Sequence, residues 1–129
     1  MLIPEGFTTV FPYIFAEDAN AYLDFLRDGL GGEIVAVHRA DDGAVANAHV
    51  RFGTMTLMVS EAREGLRKTQ GSFYIYVEDA DAAMARGLAA GGAQRSAVAT
   101  MPYGDRQGGL IDPQGNIWWI SQHLPNAPY

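Results

Sequence analysis

The sequence predicts an α+β fold made of two tandem βαβββ modules. Three observations predict it: an internal repeat, the order of hydrophobic patterns inside each copy, and a turn motif near the C-terminus. Residues 13–21 read Tyr-Ile-Phe-Ala-Glu-Asp-Ala-Asn-Ala and residues 74–82 read Tyr-Ile-Tyr-Val-Glu-Asp-Ala-Asp-Ala. The Tyr, Ile, Glu, Asp and both last Ala positions are identical at an offset of 61, and the register runs to Gly31/Gly92. In a 129-residue chain such a repeat signals two copies of one supersecondary unit. The length suits a single domain, 1–129, with repeats at approximately 7–60 and 72–123.

Each copy opens with a strand, Phe7–Phe15 and Ser72–Val77, rich in β-branched and aromatic residues. An acidic pair follows, Glu17-Asp18 or Glu78-Asp79, and marks a helix start. A carboxylate there accepts orphan backbone N–H groups and complements the positive helix end, so capping rather than catalysis explains these pairs. Ala19, Tyr22, Leu23, Leu26 and Leu30 then share one helical face, as do Ala80, Ala83, Met84, Gly87 and Leu88. Gly31-Gly32 and Gly91-Gly92 end the helices. Three strands fit after each: Glu33–Ala40, Ala44–Phe52 and Thr54–Ser60, then Ala93–Met101, Arg106–Asp112 and Asn116–His123. Asp41-Asp42-Gly43, Gly53, Pro102-Tyr103-Gly104 and Asp112-Pro113-Gln114-Gly115 make the turns. Residues 61–71 link the copies.

Composition narrows the function. A formal charge of −6 and a pI near 4.8 argue against nucleic acid or an anionic membrane surface as partner. The absence of cysteine excludes disulfides, thiolate metal sites and a cysteine nucleophile. The N-terminus shows neither the basic nor the apolar region of a signal peptide, and no apolar run approaches the ~18 residues of a membrane span. A cytoplasmic protein is the expectation. No nucleophile elbow, zincin motif or phosphate loop occurs, and the carboxylates are spread over helix starts and turns.

The element order, the acidic helix starts and the turn Asp112-Pro113-Gln114-Gly115-Asn116 together resemble the vicinal oxygen chelate superfamily, which includes glyoxalase I, extradiol dioxygenases and bleomycin-resistance proteins. Tyr103-Gly104-Asp105-Arg106, with that turn and Trp119, looks most like its PhnB-like branch. The resemblance implies curled mixed sheets around a cavity, helices on the outer face, and a homodimer. It also implies where metal-dependent members carry their ligands. Those positions correspond to Phe11 and Ser72 on the opening strands, Trp119 on the last strand and, with Gly53 aligned to Gly115, Leu57. Phe, Ser, Trp and Leu do not make a divalent metal site, so no metal and no cofactor is expected.

Strand alternation then fills the cavity differently. Phe11, Tyr13, Phe15, Leu57, Ser72, Tyr74, Tyr76 and Trp119 point inward, while Ile14, Ile75, Trp118 and Ile120 pack on the helices. These aromatics either fill the core or line a cleft for a flat organic ligand. Asn47, His49 and Arg51 share a strand face, and His49 is the candidate acid/base. His38 reads as a surface residue, and His123 as surface or as closing the cavity mouth. Arg106 either pairs with Asp105 or holds a ligand at the rim. Gly108-Gly109 signals a bulge or a close approach. The expected function is metal-independent binding, as in sequestration, of a small aromatic or amphipathic molecule by a homodimer. One rival is a glyoxalase-like lyase or isomerase, or a dioxygenase, with relocated metal ligands such as His49 and Glu33. The other is a non-catalytic structural dimer with a filled cavity.

Overall fold

The computed structural model describes residues 1–125 and divides into two compact units, Met1–Thr69 and Gln70–Tyr129. The first runs β1 (Tyr13–Ala16), α1 (Ala19–Asp28), β2 (Glu33–Arg39), β3 (Val45–Phe52) and β4 (Met55–Glu61). The second runs β5 (Ser72–Tyr76), α2 (Ala80–Ala89), β6 (Ala93–Thr100), β7 (Asp105–Ile111) and β8 (Ile117–His123). Both are βαβββ units. The sheets have equivalent orders, β1-β4-β3-β2 and β5-β8-β7-β6, and in each the first strand lies parallel to the last. The other pairings are antiparallel, so both sheets are mixed.

The helix starts repeat in detail. Asp18 and Asp79 are the N-caps, accepting from the Ala21 and Ala82 N–H groups at 3.3 and 3.1 Å. A second cap reaches in from the last strand. Glu61 on β4 accepts from Asp18 and Ala19 N–H, both at 2.9 Å, and Gln122 on β8 accepts from Ala80 N–H at 3.0 Å. Glu61 and Gln122 are again 61 residues apart. This second cap satisfies donors that would otherwise be orphaned where each helix meets its sheet. Helix α2 closes with Gly91 at φ 116° and a Gly92 N–H to Gly87 carbonyl bond, a Schellman ending.

Each core lies between one helix and one sheet face. Tyr22, Leu23 and Leu26 of α1 are buried, as are Ile14, Ala48, Val50, Leu57 and Val59 of the strands. In the second unit, a Cβ added at Gly108 would come within 2.7 Å of the Met84 side chain on α2. Gly108 pairs with Ile120, and Leu110 with Trp118, so all four lie on the helix-facing side. Burying each large apolar chain contributes about 1.5–3 kcal/mol.

The first strand is shorter than the sequence suggests. Phe7–Pro12 is not strand but a strap that begins with a Phe7 N–H to Pro4 carbonyl bond and Gly6 at φ +86°. Pro12 has no N–H for a ladder, though its carbonyl still accepts from Met58. The strap folds over the sheet: Gly6 carbonyl accepts from Thr56 at 2.7 Å, and Phe7 packs on Phe11 and His49 at ring distances of 4.9 and 5.1 Å.

Candidate functional site

The sheet face opposite the helix is the open face of each unit, roofed in part in the first by the strap through Phe7 on His49, and the register decides which side chains stand there. In the first unit Tyr13 pairs with Met58 and Met58 with His49. Tyr13, Phe15, Met58, Asn47 and His49 therefore share the open face. The Tyr13 hydroxyl meets Ser60 Oγ at 2.7 Å and accepts from Asn47 at 3.3 Å, and its ring packs on Phe15 at 4.9 Å. His38 pairs with Asn47 on this face, 6.2 Å from His49, and is exposed, the surface residue expected of it.

Leu57 departs from its expected inward orientation. It is fully buried, pairs with Val50 and lies in the helix-side core. The open-face position is Met58, the residue equivalent to Trp119 at the 61-residue offset; aligning Gly53 with Gly115 shifted the strand by one residue. A slip of one residue moves every side chain to the other face. Phe11 also departs from expectation, standing in the strap rather than on a strand.

In the second unit Tyr74 pairs with Trp119, Tyr76 with Ser121, and Gly109 with Trp119. The open face thus carries Ser72, Tyr74, Tyr76, Trp119, Ser121, Gln107, Asp105 and His123. The Trp119 indole donates to Ser72 Oγ at 2.8 Å. A Cβ added at Gly109 would stand 3.2 Å from the indole ring, so glycine there admits the close approach. Strand β6 also carries the bulge expected of this region, with register shifts on both sides of Ser96. The bulge brings the Arg95 guanidinium 5.3 Å from the Trp119 ring centroid, a cation–π contact. Arg95 was not legible in the sequence because the bulge breaks the alternation that would have flagged it. Tyr74 and Tyr76 pack together at 5.4 Å and are 47% and 56% exposed, so these aromatics do not fill a core within their own unit.

Polar groups interleave with the rings. Gln107 accepts from Tyr103 at 2.6 Å and donates to Ser121 at 2.8 Å. Asp105, fully buried, accepts from the Tyr74 hydroxyl through one oxygen and meets His123 Nδ1 at 2.7 Å through the other. Asp105 therefore does not pair with Arg106. Nor does Arg106 face the aromatics: it pairs with Gln122 across the ladder and binds Asp81 on α2 at 2.7 and 3.0 Å. Its guanidinium holds the Asp81 carboxyl below the ordinary carboxylate value. Arg106 is thus a helix-side residue, and the expected rim contact is corrected.

The turn motif explains itself structurally. Asp112 accepts from the N–H groups of Gln114 and Asn116 at 2.8 and 3.0 Å and from the Trp118 indole at 2.9 Å. Asn116 in turn accepts from Gly71 N–H at 2.7 Å, which ties the turn to the start of β5. Gly115 takes φ +88°. This motif builds the fold and takes no part in the open face.

The residues do not fit a metal. The positions that the resemblance implies for metal ligands, with Met58 taking the place of Leu57, hold a phenyl ring, a thioether, an indole and a hydroxyl already bonded to that indole. Among the described residues no three His, Asp or Glu side chains gather as a metal-binding group. Among the described residues His49 and Glu33 belong to no such group.

Residues 7–120 match the family model described as the Glyoxalase/Bleomycin resistance protein/Dioxygenase superfamily. Among solved structures the chain is similar to TioX from Micromonospora sp. ML1, at 23% identity and a TM-score of 0.73, covering 89% of this chain and 99% of that one. It is similar to a glyoxalase-related enzyme from Fulvimarina pelagi, at 20% identity and a TM-score of 0.72, covering 90% and 88%. It is also similar to TnmS3, an antibiotic binding protein from Streptomyces sp. CB03234, at 21% identity and a TM-score of 0.72, covering 95% and 98%. At these identities the likeness establishes the fold. Among the described residues no helix is long and apolar enough to cross a membrane.

Proposed function

The chain belongs to the glyoxalase/bleomycin resistance protein/dioxygenase superfamily, and from that premise we propose that it binds a small aromatic molecule without a metal. The observation that carries this reading is the open face of the second unit, where Tyr74, Tyr76 and Trp119 stand exposed or half-exposed among hydroxyl, amide and imidazole groups. Aromatic faces of this kind bind flat ligands by stacking, and the few polar groups orient them. Arg95 over the indole adds a preference for an electron-rich or anionic substituent on the ligand. In the first unit Tyr13, Phe15 and His49 form a second face of similar character. The description of TnmS3 as an antibiotic binding protein supports the same reading, with sequestration as the role.

Within the superfamily we place the chain in the PhnB-like branch on Tyr103-Gly104-Asp105-Arg106. We also assign it a homodimeric state, because a partner chain covers sheet edges that a monomer leaves to solvent, and a cytoplasmic location. The test of the binding reading is native mass spectrometry of protein purified under non-denaturing conditions and then stripped with a chelator. An aromatic adduct of a few hundred daltons that survives chelation is expected. Adducts that disappear with the metal would refute a metal-independent site.

A further inference from the structure

The cluster Tyr74–Asp105–His123 gives the open face of the second unit a chemistry that stacking does not use. Its three members come from β5, β7 and β8 and meet on the open face of the second unit. Asp105 is fully buried, so its carboxylate is held in place, and both of its oxygens are engaged: one by the Tyr74 hydroxyl, the other by His123 Nδ1 at 2.7 Å. An ionised carboxylate only accepts hydrogen bonds. With the Asp105 carboxylate as acceptor, the shared proton sits on Nδ1. In that tautomer Nε2, on the side away from Asp105, is the basic nitrogen of the ring. The His123 side chain is 41% exposed, and its ring lies 6.2 Å from Tyr76, edge to face. A buried carboxylate that fixes the tautomer of an exposed imidazole is the arrangement that makes histidine an effective base.

We infer that His123, oriented by Asp105, is a general base that takes a proton from an aromatic ligand lying over Tyr74 and Tyr76. The ligand class is an aromatic molecule bearing an acidic C–H or O–H group, and the chemistry is a metal-independent proton transfer. Asp105 is a positioning residue, and Tyr74 fixes Asp105. This inference rests on the reading that an aromatic molecule occupies the open face.

The probe is a nitrobenzisoxazole, a flat aromatic that opens in one base-catalysed step. Its ring C–H proton passes to Nε2, the C–H electron pair forms the nitrile, and the N–O bond breaks to leave a coloured cyanonitrophenolate. The imidazolium then returns its proton to solvent. The protein should turn the probe over faster than free imidazole at equal concentration. His123→Gln should lower kcat by about 100-fold or more, the usual span of general-base catalysis. Tyr76→Ala should raise KM by about tenfold or more through lost stacking. Nitrogen-15 NMR should show His123 protonated on Nδ1 in the wild type and a mixture of tautomers in Asp105→Asn, a change that a merely structural carboxylate would not cause. Turnover no faster than free imidazole, undiminished turnover in His123→Gln, or an Nε2-protonated His123 would each overturn the inference. Failure of the binding reading shows separately, as unquenched Trp119 fluorescence, while the tautomer still decides the role of Asp105.

Discussion

Trp118 and Trp119 are adjacent in sequence but stand on opposite faces of β8. Trp118 is 3% exposed, bonds Asp112 through its indole and packs on Phe73 at 4.8 Å. Replacing it with Ala should cost about 3–5 kcal/mol, as for other large buried side chains. Urea unfolding should show that loss for Trp118→Ala and a much smaller one for Trp119→Ala. Leu57→Ala should cost about 2–5 kcal/mol, because Leu57 is fully buried in the first core. An exposed Leu57 would instead leave the midpoint nearly unchanged. Residue-scale orientation was legible wherever alternation ran unbroken, as from Ser72 to Tyr76. It failed at Leu57 through a one-residue misalignment, and at Arg106 because the ladder sets it beside Gln122 on the helix side, where it meets Asp81. It could not reach the contact between Asp105 and His123, which are 18 residues apart and meet only through ladder pairing.

The helix starts show what the acidic pairs are for. Asp79→Ala removes the cap on Ala82 N–H and should lower stability by about 1 kcal/mol. Gln122→Ala should act in the same direction, since the Ala80 N–H is buried at the helix–sheet junction. The first-turn pair Arg106–Asp81 adds a pH signature. The hydrogen bond from Arg106 lowers the folded-state pKa of Asp81 below the ordinary 3.8. A depressed folded pKa stabilises the protein above the unfolded pKa, and that stabilisation is lost as the pH falls through the folded value. Wild type should therefore be more stable than Asp81→Asn at pH 6, and the gap should close on acidification below about pH 4. Denaturant midpoints across that range check it; a gap independent of pH would contradict the pairing. Capping was legible because Asp before an apolar 3.6-residue pattern has a local physical cause. The second cap from β4 or β8 was not, although the same 61-residue offset links Glu61 to Gln122.

At the scale of the molecule, duplication explains both what the sequence revealed and where it misled. The two units share strand order, parallel first-to-last pairing and doubly capped helices. The offset is 61 from the helix starts to the C-caps Gly29 and Ala90 and again on the last strands, but 60 just beyond the caps, where Gly32 and Gly92 pack against Val50 and Leu110. The strand Phe7–Phe15 was overcalled because its aromatic content suits a strap packed on a sheet as well as a strand. Light scattering at micromolar concentration should give twice the 14.0 kDa chain mass if partner chains cover the sheet edges. A mass of 14.0 kDa alone would contradict the dimer.

The central claim is that the open aromatic face of the second unit binds a flat molecule without metal. The most direct measurement is a fluorescence titration of chelator-treated protein with acridine, comparing wild type with Trp119→Ala. The account predicts saturable quenching in the wild type. In Trp119→Ala, acridine affinity measured from the dye's own emission should be about ten- to a hundredfold weaker, the loss of about 1–3 kcal/mol of stacking. Equal affinity in the two proteins, or quenching that appears only after a divalent metal is restored, would contradict it.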